Sequence, residues 1–208
     1  MYKNFIFDMG NVLMDFSPDY ILSCYTQDVE DIELLKEVIF ESGLWSGLDN
    51  GDYDFDSVRD QVLASTSQRL HHVVRDFFSS WYTHKLERTD MKDIIALLKS
   101  KGYGIFLCSN AASLFHKYKN NYEVFKYFDH ITISADIRIS KPNRGIYDAV
   151  LKTNSLEAST CLFIDDIKEN ITGAKHCGIA GYLYNGHAIM FYDYLKNIKV
   201  IWFTINTV

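Results

Sequence analysis

The stretch that decides the fold runs from residue 4 to residue 13 and reads NFIFDMGNVL. Three large apolar residues lead directly into Asp8, and the segment that follows contains Gly10. A continuous apolar run that stops abruptly is typical of a parallel strand whose two faces are both covered. We therefore predict a buried strand here, with the carboxylate of Asp8 at its C-terminal end.

Further apolar runs repeat this pattern later in the chain. They occupy residues 104–108, which Ser109 follows, residues 130–133, residues 161–164, which Asp165 and Asp166 follow, and residues 178–183. Amphipathic helical patterns lie between them, at residues 91–101, 145–153 and 168–177. Strands that alternate with helices predict an α/β fold with a doubly wound, Rossmann-like parallel sheet. Because ligands of such sheets bind at the carboxyl ends of the strands, we expect Asp8, Ser109 and the acidic pair to meet at one edge.

One block of the chain departs from the alternation. From residue 16 to residue 85 no convincing buried strand occurs, and amphipathic patterns cover residues 29–41, 57–64 and 70–82. We predict that this block is an all-helical cap inserted into a Rossmann-like core made of residues 1–15 and 86–208. The alternative, in which the block belongs to a single core, remains open at this point.

The composition excludes several classes of protein. The chain has 208 residues, 48% of them hydrophobic, and a formal net charge of −6. It carries no basic stripe of the kind that nucleic-acid binders show, and no apolar stretch approaches the roughly 20 residues of a membrane helix. Four cysteines without metal-type spacing predict reduced thiols and a cytoplasmic location. The apolar residues 200–205 predict a terminal strand or a docking tail, and the oligomeric state stays open.

The carboxylates at the strand ends suit phosphate chemistry. An aspartate such as Asp8 can attack phosphorus and form an aspartyl-phosphate, which divides hydrolysis into two easier steps. The adjacent carboxylates of Asp165 and Asp166 need a counter-charge, and Mg²⁺ binds one or two carboxylates together with phosphate oxygens. Each of these residues also fits an ordinary role: Asp8 as the cap of the following turn, and the acidic pair as the N-terminal acids of a helix.

Two further segments supply groups that can bind a phosphoryl oxygen. The hydroxyl of Ser109 and the backbone amide of Asn110 follow a predicted strand. Lys141 precedes Pro142 and can neutralise charge on the nucleophile and on the transferring group. A turn serine and a surface lysine are the ordinary alternatives, so the prediction depends on the order and the strand-end placement of all the segments together.

This order of motifs resembles the haloacid dehalogenase-like superfamily. The matching segments are residues 5–13 around Asp8, residues 105–110 ending in Ser109-Asn110, Lys141-Pro142, and residues 163–166 with the acidic pair, while residues 45–51 resemble a cap segment of the family. The resemblance implies a phosphatase that acts on a small phosphorylated metabolite. It implies Mg²⁺ held by Asp8, the carbonyl of Gly10, and Asp166 or Asp165, with Asp166 favoured. It also implies that Ser109, Asn110 and Lys141 hold the phosphoryl group and that the cap closes over the substrate.

The sequence departs from the family pattern at Gly10. Most phosphatases of the family carry an acid–base aspartate at that position, two residues after the nucleophile. The form Asp8-Met9-Gly10-Asn11 is similar to the branch that includes α-D-glucose-1-phosphate phosphatases, so a sugar phosphate is the favoured substrate. Since acid–base help contributes roughly 10²–10⁴-fold in rate, we expect slow turnover unless another group moves the proton.

Two other functions remain as alternatives. A 2-haloacid dehalogenase uses the same aspartate nucleophile on carbon, without a metal and with a larger residue where Gly10 stands. A chain without the acid–base aspartate also fits a non-catalytic protein that binds a phosphorylated ligand. The acidic pair Asp165-Asp166 favours metal binding, and therefore phosphate chemistry, over both.

Overall fold

The computed structural model describes residues 1–201. Within these residues the strands are β1 (Asn4–Phe7), β2 (Met14–Asp15), β3 (Leu86–Glu87), β4 (Gly104–Ser109), β5 (His130–Ile133), β6 (Cys161–Asp165) and β7 (Ala180–Leu183). Five of them form one parallel sheet in the order β5-β4-β1-β6-β7. The first strand of the chain is therefore the central one, and its carboxyl end lies between those of β4 and β6.

Helices cover both faces of this sheet and form most of the block between β2 and β3. In the described part of the chain they are α1 (Pro18–Ser23), α2 (Val29–Lys36), α3 (Leu44–Asn50), α4 (Phe55–Ser65), α5 (His71–Ser80), α6 (Thr89–Ser100), α7 (Phe115–Tyr118), α8 (Ser134–Ile137), α9 (Arg144–Thr153), α10 (Lys168–His176) and α11 (Ala188–Asn197). The predicted α/β class with a doubly wound parallel sheet is confirmed.

The alternation of side chains along β1 shows why residues 5–7 are all apolar. Phe5 and Phe7 belong to the apolar layer on one face of the sheet, and Ile6 belongs to the layer on the other face. All three side chains are buried. Because helices cover both faces of the sheet, water is excluded from both, and the three residues before Asp8 are apolar on whichever face they lie.

The block between β2 and β3 has an apolar cluster of its own. It is built from side chains of α1 to α5, of the turns between them and of the turn after α5: Ile21, Leu22, Leu35, Ile39, Leu48, Val58, Val62, Leu70, Val73, Val74, Phe77, Phe78 and Trp81. The chain leaves the core and returns to it through a short antiparallel ribbon in which Met14 pairs with Glu87 and Asp15 with Leu86. The division into a cap of residues 16–85 and a core of the remainder stays a prediction.

Several details differ from the patterns predicted above. Residues 29–41 form α2 followed by a single π-helical turn, Glu37–Glu41, instead of one regular helix. The strand predicted over residues 178–183 begins only at Ala180, because Gly178 takes φ 79° where the chain turns out of α10. Of the apolar tail at 200–205, residues 202–205 lie outside the described part. No helix within residues 1–201 combines the length and the apolar character needed to cross a bilayer.

Candidate active site

The carboxyl ends of three neighbouring strands bring the predicted groups together. Asp8 directly follows β1, Ser109 is the last residue of β4, and Asp165 is the last residue of β6. The amide of Asp8 donates to the carbonyl of Ile164 at 2.9 Å, which continues the β1–β6 pairing one step past the strand. The backbone register therefore sets the position of the nucleophile candidate relative to the acidic pair.

Lys141 links two of these strand ends. Its Nζ lies 2.7 Å from Oδ1 of Asp8 and 2.7 Å from Oδ2 of Asp165, and its side chain is 1% exposed. Burial disfavours the charged ammonium, but the charges of Asp8 and Asp165 outweigh it and hold the pKa of Lys141 above its ordinary value. The lysine is therefore a permanent cation beside the nucleophile candidate.

Asn110 positions the backbone of that lysine. Its side-chain Oδ1 accepts from the amide of Lys141 at 2.8 Å, and its Nδ2 donates to the carbonyl of Lys141 at 3.0 Å. This paired contact joins the turn after β4 to the loop before α9. The sequence predicted a role only for the backbone amide of Asn110, in binding phosphate. Its side chain has a second, structural role, which the motif did not predict.

Three carboxylates form a compact group at this edge. Asp8, Asp165 and Asp166 each offer an oxygen, and these oxygens lie within 4.8 Å of one another. Oxygen donors of this kind, one or two of them charged, are what Mg²⁺ takes from a protein when it also binds phosphate. The donor set therefore fits the predicted ion.

The two members of the acidic pair have different surroundings. Asp165 is fully buried, and both of its oxygens accept hydrogen bonds, Oδ1 from the amide of Ile167 and both from Nδ2 of Asn170, in addition to Lys141. Burial, and then the charge of Asp8, raise the pKa of Asp165 to about 6. Asp166 faces the cavity and accepts one 3.3 Å bond from Nδ2 of Asn11. The freer oxygens of Asp166 make it the better candidate for a direct metal ligand.

A cavity of about 240 Å³ opens over these groups. Its walls include the predicted residues Asp8, Gly10, Ser109, Asn110, Lys141 and Asp166, and the aromatic side chains of Phe16, Trp45, Trp81, Phe115 and Tyr118. Residues 16–85 supply three of those aromatic rings, so the helical block forms the wall opposite the strand ends. Asp165 does not line the cavity itself; it lies beneath three residues that do, Lys141, Ile167 and Asn170, and accepts hydrogen bonds from each of them.

Two charged residues of the cavity wall were missed by sequence reasoning. The ammonium of Lys85 lies 5.0–5.5 Å from the ring centroids of Trp81, Phe16 and Tyr118, and it donates to the hydroxyl of Tyr118 at 3.3 Å. Among residues 1–201 no carboxylate approaches it within 4.0 Å. Burial lowers the pKa of Lys85 to about 8, against the opposing charges of Asp49 and Asp8.

Asp49, near the end of α3, is the second of them. Burial raises the pKa of its carboxyl to about 7, while Lys85 and a backbone hydrogen bond from Ala112 act in the opposite direction. Its only sequence signal is its place in the segment of residues 45–51, where a single acid follows mostly apolar and small residues. That signal says nothing about which core residues the acid meets.

Residues 2–178 match a family model described as haloacid dehalogenase-like hydrolase. The chain belongs to the haloacid dehalogenase-like hydrolase family. The superfamily predicted from the motifs is confirmed, and the chain is therefore an enzyme of the hydrolase class. The closer likeness of this hydrolase to the Asp-x-Gly-Asn branch stays a prediction.

Two characterised relatives resemble this hydrolase over most of its length. A sesquiterpene phosphatase of Aspergillus oryzae is 27% identical over 186 residues, which make up 86% of this chain and 88% of that protein. A D-ribitol-5-phosphate phosphatase of Bacteroides thetaiotaomicron is 23% identical over 188 residues, or 86% of this chain and 89% of that protein.

Solved structures share the fold of this hydrolase. A predicted HAD-like family hydrolase from Porphyromonas gingivalis superposes with a TM-score of 0.73 at 20% identity, covering 96% of this chain and 98% of that one. A HAD family enzyme from Bacteroides thetaiotaomicron, solved with magnesium and inorganic phosphate, gives 0.67 at 21% identity, with coverages of 89% and 96%. The L-2-haloacid dehalogenase from Xanthobacter autotrophicus gives 0.63 at 18% identity, with coverages of 87% and 76%.

Proposed function

We propose that this hydrolase is a magnesium-dependent phosphatase that cleaves small phosphate monoesters through an aspartyl-phosphate on Asp8. The observation that carries the proposal is the buried contact of Lys141 with Asp8, next to the carboxylates of Asp165 and Asp166. A fixed cation beside an aspartate and a group of oxygen donors is suited to phosphoryl transfer, where positioning and charge neutralisation supply most of the catalysis.

The residues of the strand ends have distinct roles in this proposal. Asp8 attacks phosphorus, while Lys141, the hydroxyl of Ser109 and the amide of Asn110 hold the phosphoryl oxygens. Asp8 and Asp166, with the carbonyl of Gly10 and the neighbouring Asp165, would hold Mg²⁺, which neutralises charge on the phosphoryl group when bound. The relatives that are phosphatases, and the related enzyme solved with magnesium and phosphate, support the assignment.

A sugar or polyol phosphate is the substrate class that we propose. The cavity of about 240 Å³ suits a small leaving group. Its wall combines aromatic faces, against which the C–H groups of a sugar can pack, with Asp49 and Lys85, which can accept from and donate to hydroxyls. The ribitol-5-phosphate phosphatase among the relatives is consistent with this choice.

The proposal is tested with a panel of phosphate monoesters, including sugar phosphates and p-nitrophenyl phosphate, assayed for phosphate release with Mg²⁺ and with chelator. We expect release that depends on Mg²⁺ and that disappears in Asp8→Asn. Halide release from 2-chloropropionate that chelator leaves unchanged would instead identify a dehalogenase. Ligand binding without any turnover, unaltered by Asp8→Asn, would identify a non-catalytic protein.

A further inference from the structure

The position that most phosphatases of the family use for proton transfer has no side chain in this chain. A Cβ placed on Gly10 would lie 3.9 Å from Oδ2 of Asp8 and would meet no other described atom within 4 Å beyond its chain neighbours. The space beside the nucleophile is therefore open. An alkoxide leaving group still needs a proton as its bond to phosphorus breaks, so some other acid has to reach this space.

The cavity wall restricts the choice of that acid. Its acidic residues, among those that the structure describes, are Asp8, Asp49 and Asp166, and the wall contains no histidine. Asp8 is the nucleophile and Asp166 is the candidate metal ligand, while Lys141 is held as a cation by two carboxylates. Asp49 is the remaining carboxyl, and it enters from the helical block opposite the strand ends.

The backbone around Asp49 is fixed to the core by several contacts. The hydroxyl of Ser134 donates to the carbonyl of Asp49, and the hydroxyl of Ser140 donates to Oδ1 of Asn50. Gly51 packs so closely against the backbone of Ala135 that a Cβ there would lie 2.6 Å from the Ala135 carbonyl oxygen. The end of α3 is thus held against α8 and the loop that follows it, and Asp49 is held in the cavity with it.

Lys85 complements this arrangement. Its ammonium lies in the same cavity, and no carboxylate of residues 1–201 lies within 4.0 Å of it. Of the acidic residues, Asp49 is the one whose charge most raises the pKa of Lys85. A buried ammonium more than 4.0 Å away favours the ionised form of Asp49. Because the two groups form no close ion pair, Lys85 does not occupy the carboxylate oxygens of Asp49. The carboxyl can therefore both hold and release a proton.

We propose that Asp49 is the general acid and general base of this hydrolase, in place of the side chain that Gly10 lacks. The inference rests on the phosphatase function proposed above. In the first step an oxygen of Asp8 bonds to phosphorus, and the bond from phosphorus to the ester oxygen breaks. The electron pair stays on the ester oxygen, which takes the proton of the Asp49 carboxyl and leaves as an alcohol.

The second step restores both carboxyls. The Asp49 carboxylate takes a proton from a water molecule as the water oxygen bonds to phosphorus. The bond from phosphorus to the Asp8 oxygen breaks, and its electron pair returns to the Asp8 carboxylate. Inorganic phosphate leaves, and Asp49 is again protonated for the next cycle. The pKa of Asp49, raised to about 7 by burial, is compatible with both forms near neutral pH.

The test compares esters that differ in how much their leaving groups need a proton. Asp49→Asn should lower kcat/KM roughly 10²–10⁴-fold for the alkyl phosphate that the wild type hydrolyses fastest. For p-nitrophenyl phosphate, whose leaving group departs without protonation, the loss in kcat/KM should stay below about tenfold. The variant should also show a burst of one p-nitrophenol per active site, because the water step has lost its base.

Two further variants separate this role from a structural one. Asp49→Glu, which keeps a carboxyl, should retain more activity on the alkyl ester than Asp49→Asn, and Asp52→Asn, an exposed acid of the same segment, should match the wild type. Equal losses on both esters without a burst, or no loss on the alkyl ester, would overturn the role of Asp49 while the phosphatase function stands. A wild type that releases phosphate from no ester would overturn the proposed function itself, and the role of Asp49 with it.

Discussion

The ammonium of Lys141 lies 2.7 Å from Oδ1 of Asp8, and the side chains of both residues are almost fully shielded from water, with 1% and 9% exposed. The same ammonium contacts Asp165, whose side chain has no exposed surface. Charges buried in this way are stable only as a set, because each carboxylate has given up its hydration and depends on the shared cation. The contact therefore serves both chemistry and folding.

Removing that cation should damage both properties. We expect Lys141→Met to lower phosphatase activity at least roughly 10²–10³-fold, as the loss of one group that stabilises transition-state charge does. We also expect it to lower the free energy of unfolding by roughly 3–5 kcal/mol, because two buried carboxylates lose their partner. Urea denaturation and initial rates measure the two effects. Lys168→Met, at an exposed lysine of α10, is the control that should change neither.

The two residues of the acidic pair should affect different properties: Asp166 the binding of Mg²⁺, and Asp165 the stability of the fold. Mg²⁺ at a hundredfold excess over its Kd should stabilise the wild type by roughly 2–3 kcal/mol, seen as a rise in Tm. Asp166→Asn should reduce that rise while leaving the Tm of the metal-free protein nearly unchanged, since Asp166 has one weak contact. Asp165→Asn should lower the metal-free Tm, since it removes a partner of Lys141.

Reversed results for these two variants would assign the direct ligand to Asp165. Asp52→Asn provides a matched loss of one negative charge at an exposed position outside the site. Its Tm and its response to Mg²⁺ should both follow the wild type.

The contact of Gly51 with Ala135 should control how α3 meets the core. Gly51 and Gly43 both have positive φ, 77° and 91°, so alanine is strained at either position. Only at Gly51 would the new Cβ collide with backbone, since nothing lies within 4 Å of a Cβ on Gly43. We expect Gly51→Ala to be less stable than Gly43→Ala by roughly 1–3 kcal/mol.

Gly51→Ala and Gly43→Ala should also differ in activity. Because Asp49 is two residues before Gly51, Gly51→Ala should lower kcat/KM, whereas Gly43→Ala should leave it close to that of the wild type. Denaturation curves and initial rates on one substrate provide both comparisons. Equal effects of the two substitutions would mean that the Ala135 contact does not position the helix.

Lys85 should make stability depend on pH in a defined direction. Its pKa is about 8 in the folded chain and roughly 10.4 when unfolded. Between these values the unfolded chain binds more protons than the folded chain, so this group makes stability rise with pH. Lys85→Met lacks that rise, and its Asp49 loses a neighbouring cation. The Tm of the wild type minus that of Lys85→Met should therefore increase from about pH 7 to about pH 10.

The control for this prediction is the exposed Lys168→Met, whose Tm difference from the wild type should not vary over the same range. A difference between wild type and Lys85→Met that stays flat, or that shrinks as pH rises, would contradict a lowered pKa at Lys85.

Much of the core could be predicted from local sequence patterns. The apolar run before Asp8 and the similar runs before Ser109 and Asp165 correspond to β1, β4 and β6, because the middle of a strand covered on both faces is shielded from water. The helices α6, α9 and α10 begin and end within about two residues of their predicted bounds, as usual for helix ends. The ribbon of β2 and β3 was not predicted, since two-residue strands show no alternation.

The candidate site, too, could be predicted from the sequence only in part. Residues at strand ends could be placed from sequence order, because parallel strands in one sheet deliver their carboxyl ends to one edge. The preference for Asp166 over Asp165 as a metal ligand came from the resemblance, whereas the hydrogen bonds that occupy both oxygens of Asp165 are a property of the packed chain.

The amino-acid sequence alone determined the α/β class, the strand that carries Asp8 and the set of groups that follow the strands, because periodicity and strand termination are local properties of the chain. The tertiary structure alone decided that Asp49 and Lys85 share a cavity with Asp8. Asp49 belongs to a helix whose sequence pattern specifies only which face is apolar, and Lys85 lies directly before β3, outside any regular element. Their approach to the nucleophile depends on how the helical block packs on the core, through contacts between residues far apart in the chain such as Ser134 with Asp49.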